Sequence, residues 1–125
     1  MPEPLVVEDV TELRALHGAL FEAKYRLDPI NPVVPLSPFV AELSRRVVDA
    51  LAAATGEDWS EWKRAENHRH RFPIIVEHIA GMDGWPALEA ASKRETVRML
   101  LAPLDGEDAT VSELVESGDN AHRAV

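Results

Sequence analysis

The chain has 125 residues, of which 22 are acidic, 13 are basic, nine are prolines and none is cysteine, so its formal net charge is −9. A hydrophobic fraction of 46% is typical of globular domains and excludes wholesale disorder. Without cysteine the chain has no disulfide framework, thiol nucleophile or cysteine-type zinc site. The acidic excess opposes binding to DNA phosphates and anionic membranes. Because the sequence also carries neither a signal-peptide pattern nor a long apolar span, we expect a soluble, cytoplasmic, single domain over residues 1–125.

The first predicted helix covers residues 10 to 27. Asp9 has the side chain of an N-cap, and Glu12 follows it three residues later, as in a capping box. Leucines recur at helical spacing along this segment. We expect His17 and Lys24 to lie at the rim of the apolar stripe, with their polar ends in water.

A proline-rich connector follows, in which prolines recur at every third residue. These prolines are Pro29, Pro32, Pro35 and Pro38. Three residues per turn is the period of a polyproline II helix, so we expect an extended connector between helices one and two. Arg26, Pro29 and Pro32 also fit the basic-x-x-Pro-x-x-Pro pattern that aromatic grooves bind. The plain alternative is a stiff spacer that packs against the helices.

The second predicted helix has signals at both ends. Ser37 is an N-cap followed by proline at the first helical position, and Gly56 stands where a left-handed residue ends a helix. One apolar stripe runs between them and is expected to face the core. Its members are Phe39, Val40, Leu43, Val47, Ala50, Leu51 and Ala54.

The third predicted helix spans about residues 58 to 71 and ends before Pro73, which cannot continue it. Residues 73–81 are ambiguous, because their β-branched side chains also suit a strand. Since no other segment reads as a strand that could pair with them, we predict a short helix.

The C-terminal part contains two more predicted helices. One runs from about residue 87 to residue 102, and a short one begins near Thr110 and ends at Gly118. Residues 1–9 and 119–125 are expected to be frayed. The fold class is therefore all-α: a single-domain bundle of four to five helices with a proline-rich extended connector between the first two.

The segment Trp59–Arg71 is the strongest candidate for a binding surface. It combines two of the three tryptophans with a run of lysine, arginine and histidine residues in an otherwise acidic chain. Tryptophan and arginine dominate many protein interfaces. The predicted partner- or ligand-binding residues are Trp59, Trp62, Arg69, His70 and Trp85. The alternative is structural: the tryptophans seal the bundle, and the basic residues pair with the acidic C-terminal segment, which has six acidic residues and one basic residue after Pro103.

Other chemistries have weaker patterns. On a continuous helix Glu66 and His70, four residues apart, share a face with Trp59 and Trp62 and could offer two metal ligands. No Glu-x-x-His or His-Glu-x-x-His motif accompanies them, so no metal ligand, catalytic residue or cofactor is assigned. The first hypothesis is a non-enzymatic protein-interaction or self-associating module, such as a dimer, that uses Trp59–Arg71 or the connector. The alternatives are a small-molecule or metal-binding bundle around Glu66 and His70, with or without enzymatic activity, and third a DNA-binding helical domain.

Overall fold

The computed structural model describes residues 4–29, 31 and 33–124. Within these ranges the chain forms six α-helices and no strand. The predicted all-α class is confirmed, and the number of helices exceeds the predicted four to five by one. The helices are α1 (Val10–Lys24), α2 (Pro38–Thr55), α3 (Ser60–Lys63), α4 (Phe72–Ala80), α5 (Ala90–Leu101) and α6 (Asp108–Arg123). Short 3₁₀ segments lie at Val34–Leu36, Ala65–Arg71 and Trp85–Ala87. None of the helices in the described ranges has the length and apolar character needed to cross a membrane.

Helices α1 and α2 pack against each other through a small apolar core. Leu13 of α1 and Val47 and Leu51 of α2 are its buried members. The predicted caps are confirmed: the Asp9 carboxylate accepts hydrogen bonds from two backbone N–H groups of the first turn, and the Ser37 hydroxyl accepts one from Val40 at 3.2 Å. Helix α1 ends at Lys24, three residues earlier than predicted, whereas α2 has the predicted ends.

A second, larger core joins α4, α5 and α6. It is built from Ile75, Ile79, Trp85, Val97, Leu100, Val111 and Leu114, among others. Gly118 lies inside α6 and is buried against this core, where a Cβ atom would come within 2.7 Å of Ile79 Cγ2. The prediction that Gly118 ends the last helix is wrong, because this glycine serves close packing. Residues 119–123, expected to be frayed, are helical.

The continuous helix predicted over residues 58–71 is also wrong. After the single turn of α3, Arg64 is extended, and a 3₁₀ segment with a kink at His68 follows. The physical reason is a backbone bridge to the loop before α6: Ala65 N–H donates to Asp105 O at 2.8 Å, and Asp105 N–H donates to Lys63 O at 2.6 Å. The ambiguous segment that follows is helical, as predicted, and Pro73 lies in its first turn.

The connector differs from the extended strap that its proline spacing predicts. Val34–Leu36 form a 3₁₀ turn, and Pro35 is buried within it. Polyproline II geometry is therefore absent from these three residues. The Pro32 position of the basic-x-x-Pro-x-x-Pro pattern lies outside the described residues.

Candidate functional site

Trp59 and Trp62 belong to a cluster of aromatic rings between α1 and the 59–68 segment. We call His17, Phe21, Trp59, Trp62 and His68 the aromatic cluster. The two indoles lie 5.3 Å apart, and the His17 ring stands edge-on to both, at 5.5 Å from Trp59 and 5.0 Å from Trp62. Trp62 also contacts Phe21 and His68, each at 5.2 Å between ring centroids. Burial lowers the pKa of His17. Both tryptophans are partly buried: Trp62 packs against the larger core, and Trp59 packs against the smaller core of α1 and α2.

Two further contacts hold the irregular 65–71 segment in place. His68 Nε2 lies 2.7 Å from the Trp62 carbonyl oxygen and therefore carries the proton that it donates there. The Arg71 guanidinium stacks over the Phe21 ring at 4.7 Å and reaches the Tyr25 ring at 5.7 Å. His68 and Arg71 are therefore both engaged by groups within the domain.

The basic side chains of Trp59–Arg71 are largely neutralised by carboxylates from other elements. The pairs are Arg64–Glu107 at 3.4 Å, Arg69–Glu113 at 3.0 Å and Lys63–Asp49 at 3.0 Å. Two of these carboxylates come from the acidic C-terminal segment, as the structural alternative expects. The exposed pairs add little stability, since water screens them, but they remove the isolated positive patch that an anionic ligand would need.

Glu66 and His70 do not form the paired site that a continuous helix would give them. Glu66 Oε2 accepts a hydrogen bond from the backbone N–H of Glu107 at 3.1 Å, at the start of α6. Burial raises the pKa of Glu66, but hydrogen bonds from the Thr110 side chain and the Glu107 backbone outweigh it, and the pKa lies below its usual value. His70 is exposed, with its ring 6.2 Å from that of His68. Among the described residues no group of three or more His, Asp or Glu could hold a metal ion.

Trp85, also predicted as a binding residue, is fully buried. Its indole N–H donates to Asp119 Oδ1 at 2.9 Å, and the Lys93 ammonium donates to the same oxygen at 2.8 Å. The hydrogen bond from Lys93 is the main reason why the pKa of Asp119 lies below its usual value. The side chain closes the α4–α6 core and fixes one end of α6.

Arg69 lies apart from the two tryptophans, at the mouth of an open groove between α4 and α6. The groove has a volume of about 540 Å³, and Phe72, Val76 and Leu114 contribute its apolar lining. The ion pair with Glu113 closes one side. Whether Trp59, Trp62, Arg69, His70 and Trp85 contact a partner stays a prediction.

Sequence reasoning missed the buried lysine of α1. Lys24, expected at the rim, has only 1% of its surface exposed, and its Nζ donates to the Met99 carbonyl oxygen at 2.6 Å. Burial, together with the nearby positive charge of Arg45, lowers the pKa of Lys24 to about 7. The ammonium ties α1 to the end of α5.

It also missed an exposed apolar surface in the N-terminal third of the chain. All the exposed large apolar side chains within the described residues lie at or before position 43: Leu5, Val6, Leu27, Val33, Phe39 and Leu43. Phe39 is 84% exposed, and Leu43 is 41% exposed. Between residues 44 and 124 every large apolar side chain is buried or half-buried. The exposed large apolar side chains are therefore confined to the N-terminal part of the described chain.

The single core-facing stripe predicted for α2 is wrong, because the helix has two apolar faces. Val47, Val48 and Leu51 face the core, whereas Phe39 and Leu43 face solvent. We call the exposed row the outer stripe of α2; its members are Phe39, Leu43, Arg46, Ala50 and Ala53, and all five are exposed. Their spacing of four, three, four and three residues was readable from the sequence and is the spacing by which one helix packs along another.

Comparison of the chain with protein-family models, with curated proteins and with solved structures finds no match in any of the three. The proposals that follow therefore rest on the geometry of this chain alone.

Proposed function

We propose that this domain is a protein-interaction module that binds another protein chain through the outer stripe of α2. The observation that carries the proposal is the exposure of Phe39, 84% of whose surface is in water in a domain that buries nearly all its other aromatic side chains at least in part. Burying one such side chain contributes about 1.5 to 3 kcal/mol. A row of exposed apolar side chains on one helix face is typical of an interaction site.

The local structure suits this role because the outer stripe is held on a rigid element. Helix α2 has 18 residues, with the Ser37 cap at its start and Gly56 in the left-handed conformation, at φ 70°, at its end. A surface that is ordered before binding loses little conformational entropy when a partner arrives. Leu27 and Val33, 61% and 64% exposed, lie in the connector that leads into α2 and extend the exposed apolar area along the chain.

In this proposal the aromatic cluster supports the surface from inside the domain. His17 and Phe21 lie on α1, which packs along α2, and their contacts with Trp59 and Trp62 fasten α1 to the rest of the chain. The segment Trp59–Arg71 thus has a structural task that accounts for its tryptophans.

Site-specific photo-crosslinking tests the proposal. In one variant of the chain a photoreactive phenylalanine analogue replaces Phe39. In the matched control variant it replaces Glu116, an exposed residue of α6. We expect discrete protein adducts in the native cells from position 39, their loss when Ala50→Glu is added, and none from position 116. The proposal is overturned if position 39 gives no adduct to any protein, including a second copy of the chain, or if both positions give the same adducts.

A further inference from the structure

We infer that the partner of the outer stripe is a second copy of this chain, bound antiparallel along α2. This inference rests on the proposed function and names its partner. In the arrangement Phe39 of each copy packs on Ala50 of the other, and Leu43 packs on the aliphatic stem of Arg46. A two-fold axis then passes close to residues 44 and 45 of both helices.

Side-chain size along the outer stripe is the first argument for a second copy. The bulky members, Phe39 and Leu43, lie in the N-terminal half of α2, and the small members, Ala50 and Ala53, lie in its C-terminal half. An antiparallel two-fold pairing brings the bulky half of one helix onto the small half of the other. The stripe is thereby complementary to itself, as an isologous interface must be.

The charged side chains beside the outer stripe are the second argument, and they favour one register of the two α2 helices. Glu42 and Arg46 are both exposed on the side of α2 that carries the stripe. The guanidinium of Arg46 makes no ion pair with any residue of the described ranges, and Glu42 has only a distant contact with Arg45, at 4.0 Å. The pairing of Phe39 with Ala50 places Glu42 of each copy beside Arg46 of the other. Sliding one copy by a helical turn, about 5.4 Å, would bring the two Arg46 side chains together and is opposed by like-charge repulsion.

The size of the surface sets the expected strength. Helix α2 is about 27 Å long at about 1.5 Å per residue, and a single helix pair buries less area than a standard stable interface. The dimer is therefore expected to be reversible and to depend on protein concentration.

Sedimentation equilibrium of the full chain over a concentration series is the first test. We expect the mean mass to rise from 13.8 kDa towards twice that value. Ala50→Glu places a carboxylate against the Phe39 ring of the other copy and is expected to weaken association more than about tenfold. Glu116→Arg, on an exposed face of α6, is the matched control and should leave the association unchanged.

A charge exchange tests the register. Glu42→Arg and Arg46→Glu, each alone, place like charges beside each other and are expected to weaken the dimer about tenfold; the double variant restores opposite charges and should recover most of the wild-type affinity. Circular dichroism checks that each variant keeps its helices. A mass of 13.8 kDa at every concentration, a dimer that Ala50→Glu does not weaken, or a double variant that associates no better than the single variants would each overturn the inference. If the chain is monomeric while position 39 cross-links to a different protein, the inference fails and the proposed function stands.

Discussion

Glu66 caps α6 from a distant part of the chain, because its carboxylate accepts the hydrogen bond that Glu107 N–H donates at 3.1 Å. The 3₁₀ segment that carries Glu66 is held beside the start of α6 by the Asp105 backbone bridge. The carboxylate that resembles a metal ligand in the sequence thus satisfies a free backbone donor at a helix N-terminus, where negative charge is also favoured by the helix dipole.

Glu66→Ala is expected to lower the free energy of unfolding by about 1 to 2 kcal/mol, since it removes a cap and leaves the Glu107 backbone donor unpaired. Because the folded pKa of Glu66 lies below its unfolded value, its ionisation stabilises the fold above the unfolded pKa, and this contribution is lost as pH falls through the folded pKa. Urea denaturation at neutral and at acidic pH measures both effects. Glu116→Ala is the control; an equal loss in the control would contradict the cap.

Gly118→Ala is expected to destabilise the domain by about 1 to 3 kcal/mol, although alanine favours helices. The new Cβ would lie 2.7 Å from Ile79 Cγ2 and 3.1 Å from Trp85 Cζ2, so the core must shift.

The matched control for that substitution is Gly18→Ala in α1, where nothing lies within 4 Å of the added atom. We expect it to stabilise the domain by about 0.5 to 1 kcal/mol. Thermal unfolding of the two variants should therefore shift in opposite directions. Equal shifts would show that Gly118 is not a packing residue.

Asp119→Ala is expected to cost about 2 to 3 kcal/mol of stability, because the buried indole N–H of Trp85 and the Lys93 ammonium both lose their acceptor. Asp119→Asn keeps an acceptor oxygen but not the charge, and should cost less. Tryptophan fluorescence during denaturation follows the unfolding. The assignment fails if the two variants are equally stable.

Lys24 is expected to make stability rise with pH above neutrality. Burial lowers its folded pKa to about 7, so between that pH and its higher unfolded pKa the unfolded chain binds more protons than the folded one. From about pH 7 to about pH 9 the expected gain is about 1 to 2 kcal/mol. Lys24→Met should abolish most of the gain in urea denaturation; a gain of the same size in the variant would assign it to another group.

Local signals in the sequence predict the ends of α2 correctly, since Ser37 and Gly56 act within a single turn of the helix. The break at Arg64 was not predictable, because it depends on a backbone bridge to Asp105, 41 residues further along the chain. The outer stripe of α2 was missed for a related reason. Aromatic and basic residues stand out in composition, but only tertiary packing shows that Trp59 and Trp62 seal a seam while Phe39 faces water.

The most direct test of the central claim uses the absence of cysteine from the chain. Leu43→Cys places one thiol near the axis of the inferred dimer, and Glu116→Cys places one on α6, away from α2. Both variants are oxidised mildly at a protein concentration at which sedimentation shows the wild-type chain to associate, and the products are measured by non-reducing electrophoresis. The outer stripe is expected to yield a rapid disulfide-linked dimer from Leu43→Cys and little from Glu116→Cys. Equal, slow dimer formation by both variants would contradict the claim that the outer stripe of α2 binds a second copy of the chain.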